Sequence, residues 1–398
     1  MKRRSVIANK RRHEREEKSV QKARILALVL AQSLLTALVP AAAQDRFKIG
    51  VSVGLTGYAA AVDRACRDGL VVAAEYLNAN GGVLGRKIEL VVEDNKSEPQ
   101  EAVTIYRKMI SSDHVDMFIS GCVSAGNFAA APLYARAKIP ALLCSILPPR
   151  PEQIAWSFSF LPPPRFEVEK RYEYLRSLPG PHVAGLMYDP TPYANLQKDI
   201  AIKEAPAYGV ELPVTEQYRQ DEADLSNQIS RMSAAGASAI IKIGLGGSTI
   251  TAARNIKQLG RDMLLLGSID DMSIFKAAAD VLGTRFVFVA SPAQVYDALP
   301  AGPLKQEIGR FLPLWRSSQP GRDPIWGGKG WDAMMVAAAA ATKAQSLDGE
   351  KLRSALETLP PYQGTGGIYR FSPEVHQGIT ENPLFIGTID EGVVRVLN

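Results

Sequence analysis

The stretch Phe47–Val103 reads FKIGVSVGLTGYAAAVDRACRDGLVVAAEYLNANGGVLGRKIELVVEDNKSEPQEAV and decides the fold. Phe47–Val53 and Ile88–Val92 are apolar and rich in β-branched residues, as buried strands are. Between them, one face of a predicted helix carries apolar residues at helical spacing. These residues are Leu70, Ala73, Ala74 and Leu77. The stretch predicts a strand–helix–strand unit of an α/β protein.

Turn and capping residues mark the ends of these elements. Asn80-Gly81-Gly82 ends the first helix, because glycine readily adopts the left-handed conformation found after helix C-termini. Ser97-Glu98-Pro99-Gln100 is expected to open a second helix, with Ser97 as N-cap and Gln100 in the capping-box position. The predicted order is therefore strand, helix, strand, helix.

The residues before this unit have the pattern of an export signal. A basic region up to Arg24 precedes the apolar run Ile25–Val39, and Ala41-Ala42-Ala43 supplies small residues for cleavage before Gln44. We expect residues 1–43 to be a cleaved signal peptide and the mature protein to be periplasmic. An uncleaved membrane anchor is the alternative.

Charge and cysteine content narrow the class further. The whole chain carries a net charge of +5, but residues 1–43 hold ten Lys and Arg against three Asp and Glu, so the remainder is nearly neutral. This balance argues against a nucleic-acid partner. The three cysteines, Cys66, Cys122 and Cys144, allow at most one disulfide, and the sequence does not select among three pairings or a fully reduced state.

A family resemblance rests on three motifs. They are Ile49-Gly50-Val51 with Gly54 and Gly57, Asn78-x-x-Gly81-Gly82-Val83-x-Gly85-Arg86, and Asp94 followed by Pro99 and Ala102. With them the chain resembles the type I extracytoplasmic solute-binding proteins of ABC importers, the leucine/isoleucine/valine-binding-protein-like family. The resemblance continues, more thinly, to the C-terminus.

Strand and helix patterns alternate along the rest of the chain, which predicts parallel sheets covered by helices. The resemblance implies two doubly wound parallel-sheet lobes joined by a three-crossing hinge, the type I periplasmic binding protein fold. We assign residues 44–160 and 292–368 to lobe 1 and residues 161–291 and 369–398 to lobe 2. Val287–Ser291 is expected to form the second crossing, and the ligand is expected between the lobes.

The resemblance also implies ligand contacts in the first lobe. Ser124 follows a predicted strand and matches a family residue that binds the ligand carboxylate; a plain helix N-cap is the alternative. Ser145 and Leu147 fall in the family's second binding loop. Leu147 stands where a Thr is expected, so Ser145 would take over part of its role. An ordinary connecting loop is the alternative.

In the second lobe, Tyr193 matches a family aromatic that closes on the ligand, although a tyrosine that only packs its loop is also common. Gly244-Leu245-Gly246-Gly247-Ser248-Thr249 lacks the residues of a dinucleotide fingerprint or a P-loop. It falls instead at the family's second-lobe contacts, where Gly246 is a predicted ligand residue.

The family's ammonium clamp is not found at the aligned positions. Leu245 or Gly246 replaces its tyrosine and Ile269 replaces its acid, although a shifted alignment would restore an acid in Asp270. A buried ammonium needs a paired charge or close acceptors. We therefore expect a carboxylate that lacks an α-amino group, with an aromatic ring as one option, in preference to an amino acid.

Several other residues are candidates for the cleft. Tyr58, Tyr296, Trp326 and Trp331 could line it for an aromatic ring, with Trp331 favoured for the core. Lys242 lies inside the apolar run Ala239–Ile243 and could pair with a ligand carboxylate or a nearby acid. We favour instead a lysine whose amine reaches solvent from the strand end.

Groupings for catalysis are missing. The histidines after residue 43 are His114, His182 and His376, without metal-ligand spacing, and no serine lies in a nucleophile elbow. We expect no cofactor, no metal and no enzymatic activity. The prediction is a monomeric solute-binding protein that delivers a small organic molecule to an ABC permease. A periplasmic sensor and an exported α/β enzyme are the alternatives.

Overall fold

The computed structural model describes residues 46–397. The predicted signal peptide and its cleavage site lie outside the described residues. Within them, the chain folds into fourteen strands and twelve α-helices. No helix in the range 46–397 is long and apolar enough to cross a membrane.

The strands form two main sheets and one short hairpin. In chain order they are β1 Phe47–Val53, β2 Ile88–Asp94, β3 Met117–Ser120, β4 Ala141–Leu143, β5 Ser157–Ser159, β6 His182–Tyr188, β7 Val210–Gln217, β8 Ala239–Ile243, β9 Leu264–Gly267, β10 Phe286–Ala290, β11 Tyr362–Gly364, β12 Gly367–Tyr369, β13 Phe385–Asp390 and β14 Val393–Leu397.

Helices connect and cover these strands. They are α1 Ala60–Ala79, α2 Pro99–Lys108, α3 Ser124–Ala137, α4 Pro151–Ile154, α5 Pro164–Ser177, α6 Pro192–Tyr208, α7 Ser226–Ala234, α8 Gly247–Gln258, α9 Met272–Leu282, α10 Pro303–Ser318, α11 Pro324–Ala344 and α12 Gly349–Glu357.

The first sheet has the order β2-β1-β3-β4-β5 and is parallel throughout. The second sheet has the order β14-β13-β10-β9-β8-β6-β7, and only β13 and β14 at one edge run antiparallel to their neighbours. The predicted α/β class with two parallel-sheet lobes is confirmed. The antiparallel edge was not predicted, because the strands that form it come from the last part of the chain.

Three chain segments pass between the lobes. The first follows β5, the second follows β10 and the third lies between β12 and β13. Val287–Ala290, expected as part of the second crossing, instead pairs with β13 inside the second sheet, so the crossing begins only at Ser291. The end of β5, where the first crossing begins, touches the third crossing: Ser159 N donates to His376 O and Gly378 N donates to Ser159 O, each at 2.9 Å. The residue ranges assigned to the lobes stay predictions.

The predicted cap at Ser97 is wrong. Helix α2 begins at Pro99 with Glu98 as its N-cap, and its N-terminus has no side-chain cap. Ser97 has a positive φ of 62°. Its Oγ accepts from Ala59 N at 3.2 Å and donates to Thr56 O at 2.9 Å. The serine therefore fastens the turn after β1, a long-range contact that outweighs the local capping pattern.

Candidate functional site

A cavity of about 210 Å³ lies between the two lobes, beyond the carboxyl ends of strands from both sheets. This is where parallel α/β sheets bind ligands. The first lobe lines it with Tyr58, Ala59, Ala61, Val62, Cys122, Ser124, Ala125, Cys144 and Trp326, and the first crossing adds Leu161 and Pro162. The second lobe lines it with Glu167, Asp189, Thr191, Pro192, Tyr193, Gln220, Gly244, Leu245, Gly246, Gly247, Ile269, Asp270, Asp271, Ser273 and Ile274.

The first-lobe wall presents the N-terminus of α3. Val123 occupies the N-cap position without a side-chain cap, and Ser124 is the first residue of the helix. The N–H groups of Ser124, Ala125 and Gly126 have no acceptor within the described part of the chain, and neither does the Ser124 hydroxyl. Free N–H groups and the positive end of the helix dipole favour an anion here.

Asp63 of α1 holds the loop that leads to this helix. Its carboxylate is fully buried and accepts from Gly54 N and from Cys122 N, each at 2.7 Å. A Cβ atom on Gly121 would lie 2.3 Å from Asp63 Oδ2, so the close approach requires glycine. Burial raises the pKa of Asp63 to about 6, although the two N–H donors act in the opposite direction.

The second-lobe wall carries four carboxylates: Glu167, Asp189, Asp270 and Asp271. Glu167 lies in the first turn of α5. It accepts from Arg171 Nη2 at 2.8 Å, from Ile269 N at 3.0 Å and from the hydroxyl of Tyr193. Arg171 is itself buried, and it also donates to Gln197 and Ser268. The Glu167 carboxylate is thus fixed in place at the cavity wall.

Asp189 and Asp270 each follow a strand of the second sheet. Asp189 Oδ1 accepts from Thr191 N at 3.0 Å and from Thr191 Oγ1 at 2.5 Å. Asp270 accepts from Gly246 N at 2.6 Å and from Asp271 N at 2.8 Å. Burial raises the pKa of Asp270 to about 6, so the group is mostly ionised at neutral pH.

Lys242 supplies a cation behind these acids. The side chain is fully buried, and Nζ donates to Gly244 O and Thr249 Oγ1, each at 3.0 Å. Burial lowers the pKa of Lys242 to about 8, against the opposing charges of Asp270 and Asp189. The predicted solvent-reaching lysine is therefore wrong: its amine turns into the carbonyl end of its own strand.

The charges of the wall bear directly on the expected ligand. Within residues 46–397, no Lys or Arg is among the cavity-lining residues, and the buried cations Arg171 and Lys242 stand behind the four acids. The second-lobe side is therefore electronegative. Asp270, the predicted ligand residue that a shifted alignment restores as an acid, lines the cavity together with Glu167 and Asp189, which the sequence patterns did not single out.

The predicted site residues divide into two groups. Ser124, Tyr193, Gly246 and Asp270 line the cavity together, and Ser145, Leu147 and Tyr296 do not. The hydroxyl of Ser145 is buried, accepting from Asn127 Nδ2 at 2.9 Å and donating to Ile146 O at 3.1 Å. The Tyr296 ring packs below Lys305 Nζ, 5.4 Å from its centroid. Leu147 is half-buried outside the cavity.

The aromatic candidates divide in the same way. Tyr58 and Trp326 line the cavity, with Tyr58 more than half exposed at 56%. The indole N–H of Trp326 is buried and has no acceptor in the range 46–397. Trp331 is fully buried, and its Nε1 donates to Glu307 at 3.1 Å.

Sequence reasoning missed Glu167, Asp189 and Gln220. Asp189 directly follows β6, a strand-end position that could have identified it. Glu167 is one of several charged residues in α5, and nothing in its neighbourhood distinguishes it. Among residues 46–397, no group of three or more His, Cys, Asp or Glu is arranged to hold a metal ion.

Comparison with known proteins agrees with this architecture. Residues 46–393 match the family model described as periplasmic binding protein. An amino acid binding protein of Pseudomonas aeruginosa is 25% identical over 63% of this chain and 68% of its own length. Leu/Ile/Val-binding protein homolog 2 of Brucella abortus is 24% identical over 50% of this chain, and the match spans about half of that relative, 53%.

Solved structures show the same fold. An extracellular ligand-binding receptor from Rhodopseudomonas palustris HaA2 superposes with a TM-score of 0.80 at 19% identity, covering 89% of this chain and 100% of that one. The leucine binding protein LivK of Thermotoga maritima gives 0.75 at 21% identity, with 88% and 97% covered. Proteins of the matched family bind small molecules, work with ABC transporter permeases and are exported to the periplasm. With almost all of its described residues covered by the family model, this chain belongs to the periplasmic binding protein family.

Proposed function

We propose that this protein is the periplasmic solute-binding component of an ABC importer and that its ligand is an α-amino acid with an apolar side chain. The observation that carries the proposal is the opposite polarity of the two cavity walls. Unpaired N–H groups at the start of α3 face one side, and four carboxylates line the other. A zwitterion satisfies both walls at once.

The proposal assigns protein groups to both charged ends of the ligand. Its carboxylate would accept hydrogen bonds from the Ser124 hydroxyl and from the N–H groups of Ala125 and Gly126. Its ammonium would lie beside Asp189 and Asp270, where an ionised donor is bound more strongly than a neutral one. The earlier expectation of a carboxylate without an ammonium fits less well, because such a ligand would leave the electronegative wall unpaired.

The remainder of the cavity suits an apolar side chain. Leu161, Leu245, Ile274 and Trp326 contribute apolar surface between the two polar ends. One structural relative was solved with a ligand of this class: the substrate-binding protein LivJ of Streptococcus pneumoniae contains isoleucine. It superposes with a TM-score of 0.75 at 19% identity, covering 89% of this chain and 99% of that one.

Calorimetry on the mature protein, freed of retained ligand by unfolding and refolding, tests this assignment. L-leucine is compared with 4-methylpentanoate, which lacks the ammonium, and with 3-methylbutylamine, which lacks the carboxylate. L-phenylalanine, 3-phenylpropanoate and 2-phenylethylamine form a second set. We expect one of the amino acids to bind and each of its truncated analogues to bind at least about 100-fold more weakly, since a buried polar group is left unpaired. An acid that binds as tightly as its amino acid contradicts the proposal.

Variants test which residues bind the ammonium and which bind the carboxylate of the ligand. Asp189→Asn and Asp270→Asn should weaken amino acid binding while leaving the weak affinity for the amine-free acid unchanged or raised. Ser124→Ala should weaken both. Asp221→Asn, which alters an exposed carboxylate paired with Arg219, is the matched control and should have no effect.

Delivery to a permease is tested in cells. Deletion of the gene should abolish high-affinity uptake of the labelled amino acid, and the wild-type gene should restore it. Unchanged uptake, with loss of a transcriptional response to the same amino acid, would instead identify a sensor.

A further inference from the structure

The three cysteines, far apart in sequence, meet below the cleft. Cys66 belongs to α1, Cys122 follows β3 and Cys144 follows β4. The sulfur atoms of Cys122 and Cys144 are 2.8 Å apart, and both residues line the cavity. Cys66 is fully buried, and its side chain also contacts Cys144.

The distance between Cys122 and Cys144 is too short for two thiols that merely pack together. Non-bonded carbon atoms attract best at about 3.5–4.0 Å, and sulfur is the larger atom. A disulfide needs roughly 2.05 Å, so the two sulfurs would have to move by only about 0.8 Å.

Strand register explains why the backbone allows this bond. In the β3–β4 pair, Ser120 lies beside Leu143, so Cys122 and Cys144 follow the ends of two adjacent parallel strands. Continuing this register places Gly121 beside Cys144 and Cys122 one residue further along. A spacing of about 4.7–4.9 Å between strands combined with a rise of about 3.3 Å along the strand still falls within the range of Cα separations that a disulfide spans.

We propose that Cys122 and Cys144 form a disulfide in the floor of the ligand cleft and that Cys66 remains a free thiol. In its formation a thiolate of the pair attacks the disulfide of a small-molecule or protein oxidant and expels one of the oxidant's thiolates, which leaves a mixed disulfide. The second cysteine thiolate then attacks the protein sulfur of that mixed disulfide and expels the oxidant's other thiolate. The two cysteines lose two protons and two electrons, and the oxidant's disulfide is reduced to two thiols. An exported protein meets such oxidants.

Burial influences when the bond forms. It raises the pKa of the Cys122 thiol to about 12, which leaves little of the reactive thiolate once the lobe has folded. Oxidation is therefore expected while the chain is still folding and the thiols are exposed. In the native state the same burial protects the bond from reductants.

The bond would link the two loops that shape the first-lobe wall. One loop, Gly121–Ser124, leads into the N-terminus of α3, and the other, Cys144–Leu147, follows β4. Joining them restricts the unfolded chain and holds the unpaired N–H groups of α3 in position beside the cavity. The cysteine pair would thus stabilise the binding wall without contacting the ligand through a polar group.

Peptide mapping tests the proposal directly. The gene for the full-length protein is expressed so that the product is exported to the periplasm of the host. The protein is purified without reductant, alkylated with iodoacetamide in denaturant and digested with trypsin. Cleavage after Lys and Arg, except at Arg150 because Pro151 follows it, places the three cysteines in separate peptides, residues 65–67, 109–136 and 139–165. We expect peptide 109–136 to be joined to peptide 139–165 and peptide 65–67 to carry one alkyl group.

Two outcomes overturn the proposal: alkylation of all three cysteines after incubation with oxidised glutathione during refolding, or linkage of peptide 65–67 to either of the others. Variants provide a second measurement. Each protein is unfolded in denaturant and refolded either with a reductant or with oxidised glutathione. The Tm of the wild type and of Cys66→Ser should be lower after refolding with the reductant, whereas the Tm of Cys122→Ser should be the same after both. A wild-type Tm that is the same after both treatments contradicts the proposal as well.

Discussion

Gly69 of α1 and Gly327 of α11 are in direct backbone contact: a Cβ atom on Gly69 would lie 1.9 Å from the carbonyl oxygen of Gly327. The same crossing brings Gly330 against Cys66, where an added Cβ would lie 2.0 Å from the carbonyl oxygen of that residue. Two helices can approach this closely only where side chains are absent. The crossing holds α1 and α11 at the distance that places Val62 and Trp326 in the cavity wall.

Gly69→Ala should therefore destabilise the protein strongly, because the added methyl group meets backbone atoms that cannot rotate away. We expect a loss of about 3 kcal/mol or more in the free energy of unfolding, measured by urea denaturation. Gly247→Ala is the matched control: no atom lies within 4 Å of its added Cβ. Equal stability of the two variants would show that the helices can separate without cost.

The buried pair Glu167–Arg171 is expected to behave differently from ion pairs on the surface of α5. Removing one member leaves the other buried without its counter-charge, so Glu167→Gln should cost about 3–5 kcal/mol in the free energy of unfolding. The double variant Glu167→Gln/Arg171→Met should lose less than the sum of the two single variants.

The pair Lys170–Glu173 on the same helix supplies the control, because its side chains are 27% and 47% exposed. Glu173→Gln should change the stability by less than about 1 kcal/mol. If Glu167→Gln and Glu173→Gln lowered the free energy of unfolding by similar amounts, replacing the buried carboxylate would cost no more than replacing the exposed one. Tyr193 and Ile269 N would then bond equally well to the amide of Gln.

Sequence patterns were sufficient for features that depend on residues close together in the chain. The alternation of apolar strands and helices specified the class of fold, and Ser124 could be placed at the cleft because it directly follows a strand of a parallel sheet. Strand ends meet at one edge of a sheet whatever the rest of the chain does, so this inference needs no knowledge of tertiary contacts.

Long-range contacts account for what was missed. Glu167 reaches the cleft only because Arg171 and Ile269 N hold its carboxylate there, and Ile269 is 102 residues away. Lys242 looked like a residue that would seek solvent, but the carboxylates of Asp189 and Asp270 make a buried ammonium acceptable. Charges that pair across the fold carry no local signature in the sequence.

Asp63→Asn should reveal a pH-dependent contribution to stability. Near pH 4 the Asp63 carboxyl of the folded protein is protonated, and the neutral amide of the variant resembles this form, so the two proteins should differ by no more than about 1 kcal/mol in the free energy of unfolding. The pKa of Asp63 is about 6 in the folded protein and about 3.9 when unfolded. Between these values the folded state binds more protons, so the contribution of Asp63 to stability is complete below pH 4 and is lost as the pH rises through 6.

The stability of the wild type relative to Asp63→Asn should therefore fall between pH 4 and pH 7, by about 2–3 kcal/mol. Urea denaturation of both proteins across this range gives the difference at each pH, with other titrating groups cancelling. A constant difference would show that the two N–H donors offset the effect of burial and that Asp63 stays ionised in the fold.

Lys242→Met should show the opposite trend at alkaline pH. The pKa of Lys242 is about 8 in the folded protein and about 10.4 when unfolded, so between these values the unfolded state binds more protons. Stability contributed by Lys242 therefore rises with pH across this interval. The stability of the wild type relative to Lys242→Met should increase by about 2–3 kcal/mol between pH 7.5 and pH 10.5, measured by urea denaturation.

Lys257→Met, which removes an exposed lysine from α8, should show no such trend. A wild type that gains nothing relative to Lys242→Met would mean that Asp189 and Asp270 fully compensate the burial of the ammonium, and that the lysine remains charged through the alkaline range.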